Sequence, residues 1–449
     1  MAQLFGTDGI RGTANRFPMI PEMMVKIGMI IGTIFEKYPS EIIIGRDTRI
    51  SGQMLEYALS SGLAASGARV KLAGIIPTPA VAFLTRKYHA QAGIVISASH
   101  NLFQDNGVKI FSSDGFKLPD ELELQIEDRV LDEQAIHHRP IEADIGKIEV
   151  FEGAEEQYVN HLIDSVYSNK FPDLRGMKVV VDCANGAAAR VGPTIFKRLQ
   201  LDVVELAASP DGLNINQNCG ALHTETLQHH VLKERADLGI AFDGDADRLI
   251  LVDEQGQPVN GDRIMAILAL DLYQQHRLKN NTLVATVMSN LGLELAMKEA
   301  GITLLRTAVG DRYVVEKMRA INANLGGEQS GHIVMFDHGT TGDGLVSALS
   351  VLKILSRANK SLSELAACIQ DFPQTLMNVP VKERKPIEDM VGVSNAIRQA
   401  EKELGERGRI LVRYSGTELL LRVMVEAEDQ PTVERIVDTI AEEIRKEQR

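Results

Sequence analysis

The chain has 449 residues, 44% of them hydrophobic, which is more than one core accommodates and fits about three domains at ~150 residues each. Its 48 Lys and Arg against 61 Asp and Glu give a net charge of -13, which opposes non-specific attraction to nucleic acid or to an anionic membrane, so any anion must be held by a local site. Cys183, Cys219 and Cys368 are too few and too irregularly spaced for a disulfide scaffold or a metal-ligand set, no run approaches the ~18 apolar residues that span a bilayer, and MAQLFGTDGIRG has no basic stretch leading into an apolar one, so a cytoplasmic location is expected.

In chain order, residues 42–44 read as a buried strand, GRDTRISG as a loop with Ser51 as helix N-cap, and GQMLEYALSSGLAASG as a helix with Met54, Leu55, Ala58, Leu59 and Leu63 on one face. AGIVIS is an apolar run ending at Ser97, which places Ser99 and His100 at the carboxyl end of a strand, where open α/β sheets put their ligands. KVVVDCANG precedes a helix-like AAARVGPTIFKRLQ, and TLVATVMSN precedes LGLELAMKEAGI. The three strand–loop–helix units begin near residues 42, 178 and 282, too far apart for a solenoid, and predict three related α/β domains. After residue 372 the composition changes. A charged, Pro-containing PVKERKPIED leads to a helix-like GVSNAIRQAEKELG, two strands around RILVRYSGTELLLRVMVEAED and a terminal amphipathic helix, together a small α+β domain.

Four polar clusters interrupt this pattern. Around Ser99 a hydrolase pair with His100 is disfavoured, because no G-x-S-x-G elbow surrounds the serine and an adjacent His rarely reaches its neighbour's hydroxyl. A serine that accepts a phosphoryl group, with Lys109 supplying charge, fits better. Asp243, Asp245 and Asp247 alternate in DGDADR, so they point one way and converge three hard oxygens on one cation; otherwise they would repel and raise one another's pKa. An EF-hand fails because its Gly position is Arg248 and both flanks read as strands, which leaves Mg²⁺ as the expected ion. NLGGEQSGHIVMF presents Glu328, Ser330 and His332 on a tight loop, a carboxylate beside a hydroxyl that suits vicinal sugar hydroxyls but equally a surface turn. RYSGTELLLR combines Arg413 and Arg422 with the Ser415-Gly416-Thr417 turn, the composition of a phosphate nest, each charge-assisted bond contributing ~1.5–3 kcal/mol.

Over essentially its whole length the sequence resembles the α-D-phosphohexomutase superfamily, within it most nearly the bacterial phosphoglucosamine mutases. The resemblance is carried by FGTDGIRG at 5–12, GIVISASHN at 93–101, DGDADR at 243–248, VGDRY at 309–313, GGEQSGH at 326–332, TTGDG at 340–344 and SGTE at 415–418. It implies three related α/β domains with mixed sheets plus a smaller C-terminal α+β domain around a central cleft, with boundaries expected at 1–153, 154–255, 256–369 and 370–449. It further implies interconversion of glucosamine 6-phosphate and glucosamine 1-phosphate through a phosphoserine and a sugar 1,6-bisphosphate, one Mg²⁺ per chain, and a homodimer. By matching motif, Ser99 is expected as the phosphoserine and, with Asp243, Asp245 and Asp247, as a metal ligand. Arg11, His100, Lys109 and Arg248 are expected to surround the transferring group, with Lys109, desolvated between cations, as candidate base. Gly310, Asp311, Glu328 and Ser330 are expected at the sugar, and Arg413, Ser415, Gly416, Thr417 and Arg422 at the non-reacting phosphate, with the C-terminal domain moving to close. Three positions depart from the family pattern: Leu102 and Leu419 stand where Pro is usual, and Ala246 gives the DGDAD form common in phosphomannomutase and phosphoglucomutase relatives. Those relatives, and a non-catalytic phosphosugar-binding regulator, are the alternatives.

Overall fold

The computed structural model describes residues 4–6, 8–35, 40–132, 139–167, 173–415 and 419–448. The first sheet contains β1 (Phe5–Gly6), β2 (Gly9–Thr13), β3 (Glu41–Arg46), β4 (Arg69–Ile75), β5 (Ala92–Ile96), β6 (Asp105–Ser112) and β7 (Ile148–Val150), in spatial order β1-β2-β6-β5-β3-β4-β7. β3 pairs parallel with β4 and β5, and β6 returns antiparallel along β5. Ile42, Ile43, Ile44, Ile94, Val95 and Ile96 are all fully buried, which explains their unbroken apolar runs: both faces of these central strands are covered.

The second sheet has β8 (Lys178–Asp182), β9 (Asp202–Leu206), β10 (Leu238–Phe242), β11 (Leu249–Asp253) and β12 (Pro258–Val259) in order β12-β11-β10-β8-β9. The third has β13 (Thr282–Thr286), β14 (Thr303–Thr307), β15 (Leu325–Gly327) and β16 (Ile333–Met335) in order β14-β13-β15-β16. One pattern recurs: β4-β3-β5-β6, β9-β8-β10-β11 and β14-β13-β15-β16 each run second-first-third-fourth, with the fourth strand antiparallel to the third. This shared topology is what the strand–loop–helix repeat in the sequence reflects. It also gives each sheet a loop between its third and fourth strands, and those three loops carry Ser99, the Asp243–Asp247 segment, and Glu328 with Ser330.

The helix Gly52–Ala65 forms where its periodicity places it, with Leu55, Leu59 and Leu63 buried. Ser51 does not cap it. Its hydroxyl instead accepts a hydrogen bond from the buried Asn106 amide at 2.9 Å, a tertiary partner that outcompetes the local one.

The chain divides into two compact units, residues 1–286 with 305–367 and residues 287–304 with 368–449. In the second, β17 (Gln374–Pro380), β18 (Gly408–Tyr414) and β19 (Leu420–Ala427) form an antiparallel sheet in order β17-β19-β18, backed by the helices Val391–Leu404 and Gln430–Glu447 over a core that includes Val379, Leu421, Val423, Val433 and Ile440. Residues 374–380, which the sequence pattern did not mark as a strand, are a full strand paired with Leu420–Glu426; Pro380 sits at its end, where no ladder hydrogen bond is lost. Asn290 ties residues 287–304 into this unit: its side chain accepts from the Phe372 amide at 3.0 Å and donates to the Phe372 carbonyl at 2.9 Å.

Candidate active site

The serine loop leaves β5 at Ile96 and places Ser99 at φ +50°, in the left-handed region that non-glycine residues seldom occupy. A dense set of bonds holds it there. The Ser99 amide donates to Ser97 Oγ at 2.9 Å, and that hydroxyl donates to Asp47 Oδ2 at 2.6 Å. The Ser99 carbonyl accepts from Arg49 at 2.9 Å and from Asn216, on the second α/β segment, at 2.8 Å. Arg49 has a fully buried side chain; it pairs with Asp47 at 2.8 Å and donates also to the carbonyls of Asn101, Leu102 and Asp105. Burial raises the Asp47 carboxyl, and Arg49 and Ser97 only partly offset it. Sequence reasoning took GRDTRISG as a plain loop and passed over Asp47, Arg49 and Asn216. The available signal was an Asp and an Arg immediately after a wholly apolar strand, a place where charge is costly unless it organises something.

Across from this loop, Ser99 Oγ donates to Asp243 Oδ2 at 2.6 Å. Asp243, Asp245 and Asp247 are buried and bring ligand oxygens within 4.8 Å of one another, so the alternation does converge. Asp245 uses Oδ2 to accept from Thr78 at 2.6 Å and from Lys109 at 2.9 Å; Asp247 uses Oδ2 toward Lys109 at 3.2 Å. The Oδ1 atoms of Asp245 and Asp247 are buried without a hydrogen-bond partner. Burial and then its two neighbours push Asp243 well above the usual carboxylate range. Spare buried carboxylate oxygens under mutual repulsion fit a hard divalent cation, and the trio can hold a metal ion.

Beside the trio lies a cavity of about 490 Å³ lined by, among others, Arg11, His100, Arg248, Gly310 and Glu328. The Nε atoms of Arg11 and Arg248 are buried and have no hydrogen-bond partner, leaving donors for an anion. Two expectations change here. His100 was placed among the cations, but burial, then Arg248 and Arg11, hold its pKa down at about 4, so the ring is neutral at pH 7; its Nδ1 stands 3.4 Å from Ser99 Oγ. Lys109 was expected between cations as a base. Its ammonium is instead surrounded by Asp8, Asp245 and Asp247 at 3.2, 2.9 and 3.2 Å, and these carboxylates overcome burial and hold its pKa well above the ordinary lysine value. A lysine so held offers charge, not a lone pair.

In the third α/β segment, Glu328 accepts from the Gly310 amide at 3.1 Å, with Ser330 Oγ 3.5 Å from its other oxygen. Gly310 has φ +129°, a conformation that needs glycine. Asp311 accepts from Lys117 at 2.5 Å and lies 3.4 Å from His332, whose other ring nitrogen is 3.5 Å from Asp247. Burial opposes charge on His332, yet Asp247 and Asp311 raise it to about 9. Neither Asp8 nor Lys117 was singled out from the sequence; only the fold brings them beside Lys109 and Asp311.

In the C-terminal unit, Arg413 and Arg422 are direct cross-strand partners on β18 and β19. Burial and then Arg422 lower the pKa of Arg413, and Arg413 has no ion pair with the described residues. Like charges in that register are unfavourable unless an anion joins them. Ser415 Oγ lies 3.4 Å from Arg422 Nη2 and its carbonyl accepts from Arg384 at 2.8 Å. Gly416 and Thr417 lie outside the described residues.

Four family domain descriptions match the chain in succession: phosphoglucomutase/phosphomannomutase alpha/beta/alpha domain I over residues 2–137, domain II over 156–256, domain III over 260–372, and the C-terminal domain over 376–443. The chain belongs to the phosphoglucomutase/phosphomannomutase family. Among its relatives, the phosphoglucosamine mutase of Nitratidesulfovibrio vulgaris is 50% identical over 449 residues, covering 99% of both chains. That of an Anaeromyxobacter species is 51% identical over 450 residues, 99% of this chain and 96% of its own. A solved phosphoglucomutase/phosphomannomutase family protein from Burkholderia thailandensis superposes with a TM-score of 0.81 at 25% identity, over 100% of this chain and 98% of its own. No helix among the described residues is long and apolar enough to cross a membrane.

Proposed function

We propose that the protein interconverts glucosamine 6-phosphate and glucosamine 1-phosphate in the cytoplasm, on the route to UDP-N-acetylglucosamine and the cell wall. The observation that carries the reading is the Ser99 hydroxyl, 2.6 Å from Asp243, on a loop fixed from two α/β segments beside two guanidinium groups with free Nε donors. Relatives about 50% identical over nearly their full length, named phosphoglucosamine mutases, support glucosamine over other hexoses.

In this mechanism a phosphorylated Ser99 gives its phosphoryl group to the free hydroxyl of the sugar monophosphate; the P–O bond to Ser99 breaks as that to the sugar forms, and the proton lost by the sugar hydroxyl is balanced by one gained at Ser99 Oγ. The resulting 1,6-bisphosphate turns end for end, and Ser99 takes the other phosphoryl group. Phosphoryl transfer asks mainly for position and charge, so Arg11, Arg248 and Lys109 act as fixed cations while neutral His100 lies against the serine. Asp243, Asp245, Asp247 and the Ser99 phosphate would hold one Mg²⁺, which supplies charge neutralisation at the transferring group. Gly310, Asp311, Glu328 and Ser330 orient the sugar, and Arg413, Ser415, Gly416, Thr417 and Arg422 take the phosphate that is not reacting.

The test is intact-mass and peptide mapping of purified protein, coupled to isomerisation assays that compare kcat/KM for glucosamine, mannose and glucose phosphates. Phosphate on Ser99 and a preference for glucosamine are expected, and Ser99→Ala should abolish turnover while still binding the sugar phosphate. Full turnover by that variant would sink the mechanism, and a preference for mannose or glucose phosphate would sink the substrate.

A further inference from the structure

Six charged side chains close a ring in which the signs alternate: Asp8, Lys117, Asp311, His332, Asp247 and Lys109. Lys109 Nζ is 3.2 Å from Asp8 Oδ2, and Asp8 Oδ1 pairs with Lys117. Lys117 Nζ is 2.5 Å from Asp311 Oδ2, which is 3.4 Å from His332 Nε2. His332 Nδ1 is 3.5 Å from Asp247 Oδ2, and that oxygen is 3.2 Å from Lys109. The members come from the β1–β2 turn, from β6 and the segment after it, and from loops of the second and third sheets, so the ring joins all three α/β segments. It engages Oδ2 of Asp247, whereas Oδ1 has no hydrogen-bond partner and lies 3.9 Å from Arg248 Nε.

Lys117 holds a distinct place in it. Asp8 and Asp311 line the cavity beside Ser99, whereas Lys117, its side chain 13% exposed, is not among the residues lining that cavity. Among the described residues it pairs with the site through the two carboxylates that it bridges. Without its charge, Asp8 and Asp311 would face each other as like charges, and the Gly310–Asp311 loop would move away from the Asp8–Arg11 loop. A second tether lies on the far side of that loop. Arg312 pairs with Asp120 and, at 2.8 Å, with Glu123, so loss of Lys117 shifts the loop without detaching it.

We propose that Lys117 is a positioning residue that sets the distance between the phosphoryl-transfer loop and the sugar loop by bridging Asp8 to Asp311. The proposal rests on the mutase reading above, and the wild-type assay separates the two. A wild type inactive on glucosamine 6-phosphate refutes the substrate, and the Lys117 comparison then uses whichever phosphohexose it isomerises. Lys117→Met keeps the length of the side chain and removes its charge. A displacement near 1 Å should lower kcat/KM on the order of 100-fold, with KM rising. Lys117→Arg, which keeps the charge, should recover activity to within about fivefold of wild type, and Mg²⁺ affinity by calorimetry should stay within about threefold in both variants. Because the two residues act as one bridge, K117M/D311N should fall no further than about threefold below the poorer single variant. Asp8→Asn breaks the bridge from its other end and covers the case in which K117M does not fold; a loss of at least about tenfold in kcat/KM is expected. The proposal is overturned if K117M, or D8N where K117M does not fold, keeps kcat/KM within about threefold of wild type, if folded K117R is as poor as K117M, or if the K117M and D311N losses multiply.

Discussion

Replacing Arg49 with Met should separate the scaffold of the serine loop from its chemistry. The guanidinium is fully buried, pairs with the fully buried Asp47 at 2.8 Å, and donates to carbonyls of Ser99, Asn101, Leu102 and Asp105. Arg49→Met strands Asp47, whose carboxyl burial already raises, and leaves the Leu102 and Asp105 carbonyls without this donor; Asn216 still serves Ser99 and Asn101. Breaking a buried pair from one side costs about 3–5 kcal/mol, which lowers the melting temperature of the larger compact unit by roughly 4–7 °C. Since Ser99 holds a left-handed φ only because its surroundings impose it, the loop should relax, and a shift of ~1 Å would reduce kcat about 100-fold. Urea unfolding and steady-state isomerisation read the two effects. The double variant R49M/D47N removes the stranded charge and should regain about half of the stability but none of the activity. If R49M unfolds within about 1 kcal/mol of wild type and keeps more than about a third of its kcat, the claim that this buried pair holds the nucleophile's loop is wrong.

Two further outcomes follow from the site and its surroundings. Mg²⁺ at about 100 times its dissociation constant should stabilise the chelator-treated protein by ~2.7 kcal/mol, and Asp245→Asn should erase that shift in a melting experiment; an unchanged shift would mean that the aspartate trio is not where the ion binds. His338 has a buried Nδ1 without a hydrogen-bond partner, and burial, then the nearby cations Arg277 and Lys353 and also His161, outweigh Asp337 and lower its pKa to about 4. Between pH 6.5 and 4 the unfolded chain therefore binds a proton that the folded chain refuses, so stability is complete above 6.5 and declines as the pH falls, by at most about 3 kcal/mol for this group. His338→Asn should flatten that part of the stability-versus-pH curve, and a parallel curve would refute the assignment.

Much of the architecture was legible because it depends on short-range patterns. Unbroken apolar runs such as residues 42–44 and 94–96 require strands covered on both faces, and polar residues at their ends mark the carboxyl edge of a sheet. The alternation of Asp243, Asp245 and Asp247 likewise holds its own geometry within five residues. What no local pattern could supply is the environment that distant segments create. Lys109 looks the same in sequence whether it faces cations or carboxylates, and only the packing of β6 against the second sheet's loop surrounds it with negative charge. His100 is neutral because the fold buries it and because Arg248 and Arg11 approach from elsewhere in the chain. Arg49, Asn216 and Lys117 act on groups 50 to 194 positions away, so their roles exist only once the chain has folded. Side-chain type and spacing are properties of the chain, whereas protonation and orientation depend on fields and contacts that fall off within a few ångströms, and tertiary structure alone sets which groups come that close.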